Sequence, residues 1–104
     1  MLTKIDTTIE KDWIKVSDGV KMFVLRLEPG EVRVLLRFAA GKGYSKHHHP
    51  SGEEVFVLEG TYSDMGIDYG AGSYIYYPPH SEHAPISKNG CTIMVMSPEK
   101  PEIL

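Results

Sequence analysis

Gly41-Lys-Gly-Tyr-Ser-Lys-His47-His48-His49-Pro-Ser-Gly-Glu53-Glu54 gathers three of the chain's five histidines beside two carboxylates. Imidazole and carboxylate are donors that first-row divalent metals accept. In an extended segment side chains alternate, so His47 and His49 share one face and His48 takes the other. Glu53 stands at even spacing from His49 and from Val55 and Val57. If extended geometry resumes after the Pro-Ser-Gly turn, Glu53 joins the inward apolar residues while Glu54 points outward with Phe56. A solvated loop is the bland alternative, but an internal run flanked by strand-forming residues is not where an expression tag sits.

A second stretch strengthens the metal reading. Gly72-Ser-Tyr-Ile-Tyr-Tyr-Pro78-Pro79-His80-Ser-Glu-His83 offers a further histidine after a proline turn, with His83 placed to be the fourth ligand from a neighbouring strand.

Around these stretches, Gly and Pro interrupt the chain about every ten residues, which leaves helices little room. The segments between them, Val20 to Leu27, Val32 to Phe38, Val55 to Leu58, Ser73 to Tyr77 and Thr92 to Met96, are rich in Val, Ile, Phe and Tyr. Short strands with turns this frequent predict an all-β sandwich or barrel. Asn89-Gly90 ahead of Cys91 predicts a type I′ hairpin, because both residues tolerate positive φ. Leu2, Ile5, Ile9, Trp13 and Val16 fall at helical spacing, yet Thr7-Thr8 is poor helix material. Trp13 to Val16 is therefore read as a strand, and residues 1–11 as an N-terminal arm that covers a sheet edge or pairs with a second subunit. Residues 98–104, with two prolines, read as a surface tail.

Composition agrees with one domain: 104 residues, 41% hydrophobic and 24% charged. A net charge of -3 without a basic cluster excludes nucleic acid and anionic membranes as expected partners. The single cysteine, Cys91, rules out an internal disulfide or a CxxC motif and suits a reducing compartment. No apolar run resembles a secretory signal or a membrane span, so a cytoplasmic protein is expected.

Together the two histidine stretches resemble the paired motifs of the cupin superfamily. Gly41, His47, His49, Glu53 and Gly60 match the first motif in every spacing, and Gly72, Pro78 and His83 match the second. His80 stands where that family has Gly, and Ser87 where it often has Asn. The first departure bears on the turn, since His tolerates positive φ less well than Gly. The wording Gly-Glu-Glu-Val-Phe-Val-Leu-Glu-Gly-Thr-Tyr-Ser-Asp, then Ala-Gly-Ser-Tyr, Pro-Pro-x-Ser-x-His-Ala-Pro and Asn-Gly-Cys, is similar to the ChrR-like branch. That branch holds the metal-binding C-terminal domain of ChrR-type anti-sigma factors and related dioxygenases that cleave small dicarbonyl compounds. The resemblance runs from about Asp12 to Met96 and implies an RmlC-like jelly roll, a small double-stranded β-helix barrel over residues 12–97. It also implies one divalent transition metal, Fe, Mn, Ni or Zn, held by His47, His49, Glu53 and His83.

Two functions follow from that resemblance. In the first, an octahedral ion keeps adjacent positions for a dicarbonyl or enediol and for dioxygen, giving a stand-alone metal-dependent dioxygenase-like oxidoreductase or small-ligand binder. In the second, zinc sits in the same ligands as part of a non-catalytic ChrR-like sensor or regulatory module. Nothing before residue 12 supplies the helical sigma-binding domain, which favours the first. A metal-free barrel is disfavoured, because buried imidazoles and a carboxylate are costly without compensation. A small barrel has edges to protect, so a homodimer is expected. Tyr62, Tyr69, Tyr74, Tyr76 and Tyr77 are read mainly as barrel packing, Cys91 as a buried inert thiol, and His80 as a surface turn residue.

Overall fold

Val-rich alternation between close glycines produces strands and turns throughout the part of the chain that is described. The structure, a computed structural model, describes residues 13–44, 47–98 and 102–103, with 47, 48, 102 and 103 described by backbone alone. The strands are β1 (Ile14–Ser17), β2 (Val20–Glu28), β3 (Glu31–Phe38), β4 (Lys42–Gly43), β5 (His47–His49), β6 (Glu53–Asp64), β7 (Ile67–Gly70), β8 (Tyr74–Tyr77), β9 (Ser81–His83), β10 (Ile86–Ser87), β11 (Cys91–Ser97) and β12 (Glu102–Ile103). Every pairing between them is antiparallel. The result is the all-β jelly-roll barrel expected. Among the described residues no helix is long and apolar enough to cross a membrane.

The main sheet runs β1-β2-β3-β11-β6, with β8 on the far side of the first part of β6. Its register stacks apolar residues into cross-strand rows. Val34, Val95, Val55 and Ile75 form one row, and Met22, Leu36, Ile93 and Val57 the next. Val34, Val55, Val57, Leu36, Ile93 and Val95 are all buried, each contributing roughly 1.5–3 kcal/mol by leaving water.

β6 is the element that closes the barrel. Up to Gly60 it pairs with β11 and β8, and from Thr61 onward it pairs with β7 and β10, the latter joined to β4. Two features let it cross between sheets. Leu58 is an extra residue opposite β11, since Thr92 faces Glu59 while the adjacent Ile93 faces Val57. Gly60 then turns the chain at φ +78, where an added Cβ would overlap the Gly90 carbonyl oxygen, so only glycine fits.

One turn differs from the sequence expectation. Asn89-Gly90 is not a type I′ hairpin: β10 pairs with β6 and β4, β11 pairs with β6 and β3, and Asn89 keeps a negative φ. The segment instead crosses between sheets alongside the bend of β6, where Thr61 N–H donates to Gly90 O (3.2 Å). The two-residue turn with both φ positive lies at Met65 (52°) and Gly66 (78°), between Asp64 and its partner Ile67. The expected arm, residues 1–11, falls outside the described residues. Within the expected tail, Glu102 and Ile103 pair with His48 and His47, adding a strand to the small sheet β12-β5-β9.

Candidate metal centre

β5 and β9 bring the two histidine stretches side by side. In their ladder His47 lies opposite His83, His48 opposite Glu82, and His49 opposite Ser81. Residues directly opposite in an antiparallel pair share a face, as do residues two apart, so the backbone puts His47, His49, Ser81 and His83 on one face. The side chain of His47 is outside the described residues.

Two turns fix this ladder. After His49 the chain reverses through Pro50-Ser51-Gly52, with Gly52 at φ +82 and its N–H donating to His49 O (3.3 Å). Glu53 then opens β6. After Tyr77, Pro78 to Ser81 form a tight turn closed by Ser81 N–H to Pro78 O (3.1 Å), with Ser81 Oγ–H on the same carbonyl. His80 occupies its third position at φ +70, the left-handed site that glycine fills in a type II turn. The sequence departure at His80 therefore keeps the glycine-like turn and accepts the strain. Its N–H donates to His49 O (2.8 Å) and ties the second turn to the first.

His49, Glu53 and His83 meet inside the barrel, at 1%, 7% and 4% exposure. His49 Nε2 lies 2.9 Å from His83 Nε2 and 3.0 Å from Glu53 Oε2, and His83 Nε2 lies 3.4 Å from Glu53 Oε1. Donor atoms bound to one cation at ~2.1 Å sit ~3.0 Å apart at right angles and ~3.4 Å apart in a tetrahedron, and here the Glu53 carboxylate turns one oxygen to each imidazole nitrogen. Two imidazole nitrogens and a carboxylate with these separations therefore fit a divalent first-row metal. Of the sequence-expected ligands, the structure brings together His49, Glu53 and His83, and places the backbone of His47 opposite His83.

A second layer of polar groups was not read from the sequence. Tyr77 O–H donates to Asp64 Oδ2 (2.7 Å), the Tyr77 and Tyr62 oxygens are 3.1 Å apart, and Tyr62 Oη is 3.5 Å from His83 Nδ1. Asp64 Oδ2 is 3.8 Å from the same Nδ1. The Tyr77 ring stacks on His83 with centroids 4.0 Å apart. Tyr62 and Tyr77 are buried while Tyr74 and Tyr76 are exposed, so the tyrosine cluster divides between packing, site and surface. Burial pushes the Tyr62 and Tyr77 phenols above the ordinary tyrosine range, and it pushes Tyr44 up to about 12 with help from the nearby Glu53 charge. Burial likewise raises the thiol of Cys91, which is buried in the core as expected.

Glu53, Tyr62 and His83 also border a cavity of about 390 Å³ whose other walls are mainly aliphatic, including Met22, Leu36 and Ile93. The site thus joins a metal-type donor set to an apolar chamber.

The ChrR cupin-like domain family matches residues 3–100. No curated protein matches the chain by sequence. Among solved structures, an acetylacetone dioxygenase from Acinetobacter johnsonii superimposes with a TM-score of 0.86 at 12% identity, covering 100% of this chain and 79% of that one. The polyketide cyclase RemF from Streptomyces resistomycificus gives 0.84 at 17% identity, over 100% and 86%. The Rhodobacter sphaeroides complex of SigE with the anti-sigma ChrR gives 0.78 at 22% identity, over 88% of this chain and 50% of that one. Identities this low carry the fold alone.

Proposed function

The chain belongs to the ChrR cupin-like domain family, and from that premise we propose that it is a metal-dependent, dioxygenase-like enzyme acting on a small dicarbonyl or enediol. His47, His49, Glu53 and His83 hold one divalent ion, with Fe, Mn or Ni fitting the catalytic role. The observation that carries this reading is the convergence of His49 Nε2, His83 Nε2 and the Glu53 carboxylate beside an apolar cavity of about 390 Å³.

A divalent cation in these ligands supplies Lewis acidity and open positions for a chelating pair of oxygens. The protein supplies the rest. Aliphatic walls from β2, β3 and β11 bind the apolar flanks of the ligand and exclude water, which strengthens every polar contact at the Glu53 and His83 end. Glu53 contributes the negative charge that favours a cation over a proton-filled cluster.

Metal analysis of the protein purified without a His tag, beside His49→Ala, tests the site. Iron, manganese or nickel near one per chain, lost in the variant, is expected. Metal unchanged in His49→Ala overturns the ligand assignment. Oxygen uptake by the Fe(II)-loaded protein with a panel of β-dicarbonyls and enediols tests the chemistry. Tightly held zinc with no uptake across the panel overturns catalysis and leaves the zinc-binding regulatory module.

The proposal extends to assembly as a homodimer in the cytoplasm. Among the described residues β1 is the outermost strand of the main sheet and exposes Ile14 and Val16, an edge that a second copy would protect. Light scattering at micromolar concentration is expected to give twice the chain mass; a monomer overturns it.

A further inference from the structure

We infer that the ligand of the Glu53–His83 site carries an uncharged aliphatic chain of several carbons, bound along the main-sheet wall of the cavity. Which oxygens it presents rests on the dicarbonyl reading above; the chain does not. β2, β3 and β11 set their inward side chains in matched rows: Met22, Leu36 and Ile93 in one, Val24, Val34 and Val95 in the next, and Leu27 opposite Val32 beyond them. All eight border the cavity. Successive rows are two residues apart, so the wall runs about 13 Å along β3 at ~3.3 Å per residue. Glu53 opens β6, and β11, β3 and β2 follow it in sheet order. At ~4.8 Å between neighbouring strands, β2 lies about 14 Å along the sheet from the strand of Glu53. A compact dicarbonyl held at Glu53 and His83 covers little of that wall. The volume of about 390 Å³ falls instead within the range of pockets that enclose drug-sized ligands, roughly 300–1,000 Å³.

The chemistry of the wall decides what the rest of the ligand is. The polar groups keep to the other end, where His83 lies 3.4 Å from Glu53 Oε1 and 3.5 Å from Tyr62 Oη. Away from it, the eight side chains are one thioether and seven hydrocarbons. A hydroxyl placed there leaves water without a hydrogen-bond partner, which disfavours sugars and other polyols. Among the described residues Glu53 is the one carboxylate that borders the cavity, and no lysine or arginine does. A carboxylate at the far end of the ligand therefore leaves water with no counter-charge. A methylene moved from water onto the wall, by contrast, tightens binding about fourfold.

Three probes test this: 2,4-pentanedione, 2,4-nonanedione, and 6,8-dioxononanoate, which has the nine carbons of nonanedione ended by a carboxylate. Dissociation constants are measured by calorimetry on the protein as purified and after treatment with a chelator. Nonanedione is expected to bind on the order of 100-fold more tightly than pentanedione, for four added methylenes, and at least about tenfold more tightly than the carboxylate. Chelation is expected to weaken all three and keep their order. Val24→Phe, on β2 at the far side of the wall, is expected to weaken nonanedione about tenfold, the worth of two methylenes, and pentanedione less than about threefold. Should that variant fail to fold, Leu27→Phe, at a side chain 56% exposed, decides. Equal affinities for the two diones, a carboxylate that binds as well as nonanedione, or a nonanedione advantage that survives both folded variants overturns the inference, even where oxygen uptake with pentanedione upholds the enzyme. The expected order in a protein that holds no metal and takes up no oxygen upholds the inference and overturns the enzyme.

Discussion

The two parts of β6 follow opposite parity rules. In the first part the inward residues are odd-numbered, Glu53, Val55 and Val57; in the second they include Tyr62 and Asp64, which are even. The change is made by Leu58, the one residue between Glu54 and Gly60 that β11 does not match, and completed by the bend at Gly60. A single inserted residue moves every later side chain to the other face. The comparison shows that Glu53, which meets His49 and His83, and the Tyr62 and Asp64 oxygens on the other side of His83 come from one strand, but only because a bulge reverses its phase midway.

Deleting Leu58 is the strongest way to break this arrangement. Restored alternation would expose Tyr62 and Asp64 and bury Thr61, at a cost comparable to a small domain's whole stability of roughly 5–15 kcal/mol. No cooperative urea transition is expected. Leu58→Ala keeps the residue count and loses a side chain that is 43% exposed, so its cost should stay below about 1 kcal/mol. A deletion variant that unfolds cooperatively near the wild-type midpoint would refute the parity argument. Next in size is Gly60→Ala, which forces a Cβ into the left-handed region and against the Gly90 carbonyl. A loss of about 3 kcal/mol is expected, read as a lower urea midpoint at unchanged slope. A loss under ~1 kcal/mol would mean that the bend does not need glycine.

The same reversal explains what was legible beforehand. His49, Glu53 and His83 stood out because they sit before the bulge or in an independent strand, where spacing and proline turns translate directly into geometry. The all-β class was equally plain from the closely spaced turns and the β-branched segments between them. Asp64 was invisible: alternation counted on from Glu53 puts it on the outer face, and nothing local marks Leu58 as the extra residue. Asn89-Gly90 misled for a related reason, since a strong hairpin dipeptide was used where the chain changes sheets rather than where it turns back. At His80 the doubt about the missing glycine was warranted. The turn is nonetheless kept, because His80 N–H to His49 O and the Ser81 closure hold it.

The hairpin that ends β6 gives the smallest effect and isolates its second part. Met65 is 85% exposed and sits at φ 52 beside Gly66, a position that asparagine occupies with less strain than methionine. Met65→Asn should therefore stabilise by about 0.5–1 kcal/mol, which for a domain of this size raises Tm by roughly 2–8 °C. The gain belongs to the turn, so it should reach the strand that the turn closes. Amide exchange is expected to slow at Thr61 to Asp64, which pair with β7, while Glu53 to Val57, held by β8 and β11, keep their wild-type rates when opening is local. Equal slowing over the whole of β6 would instead show that the strand opens as one unit despite its two phases. An unchanged Tm would show that Met65 carries no strain for asparagine to relieve.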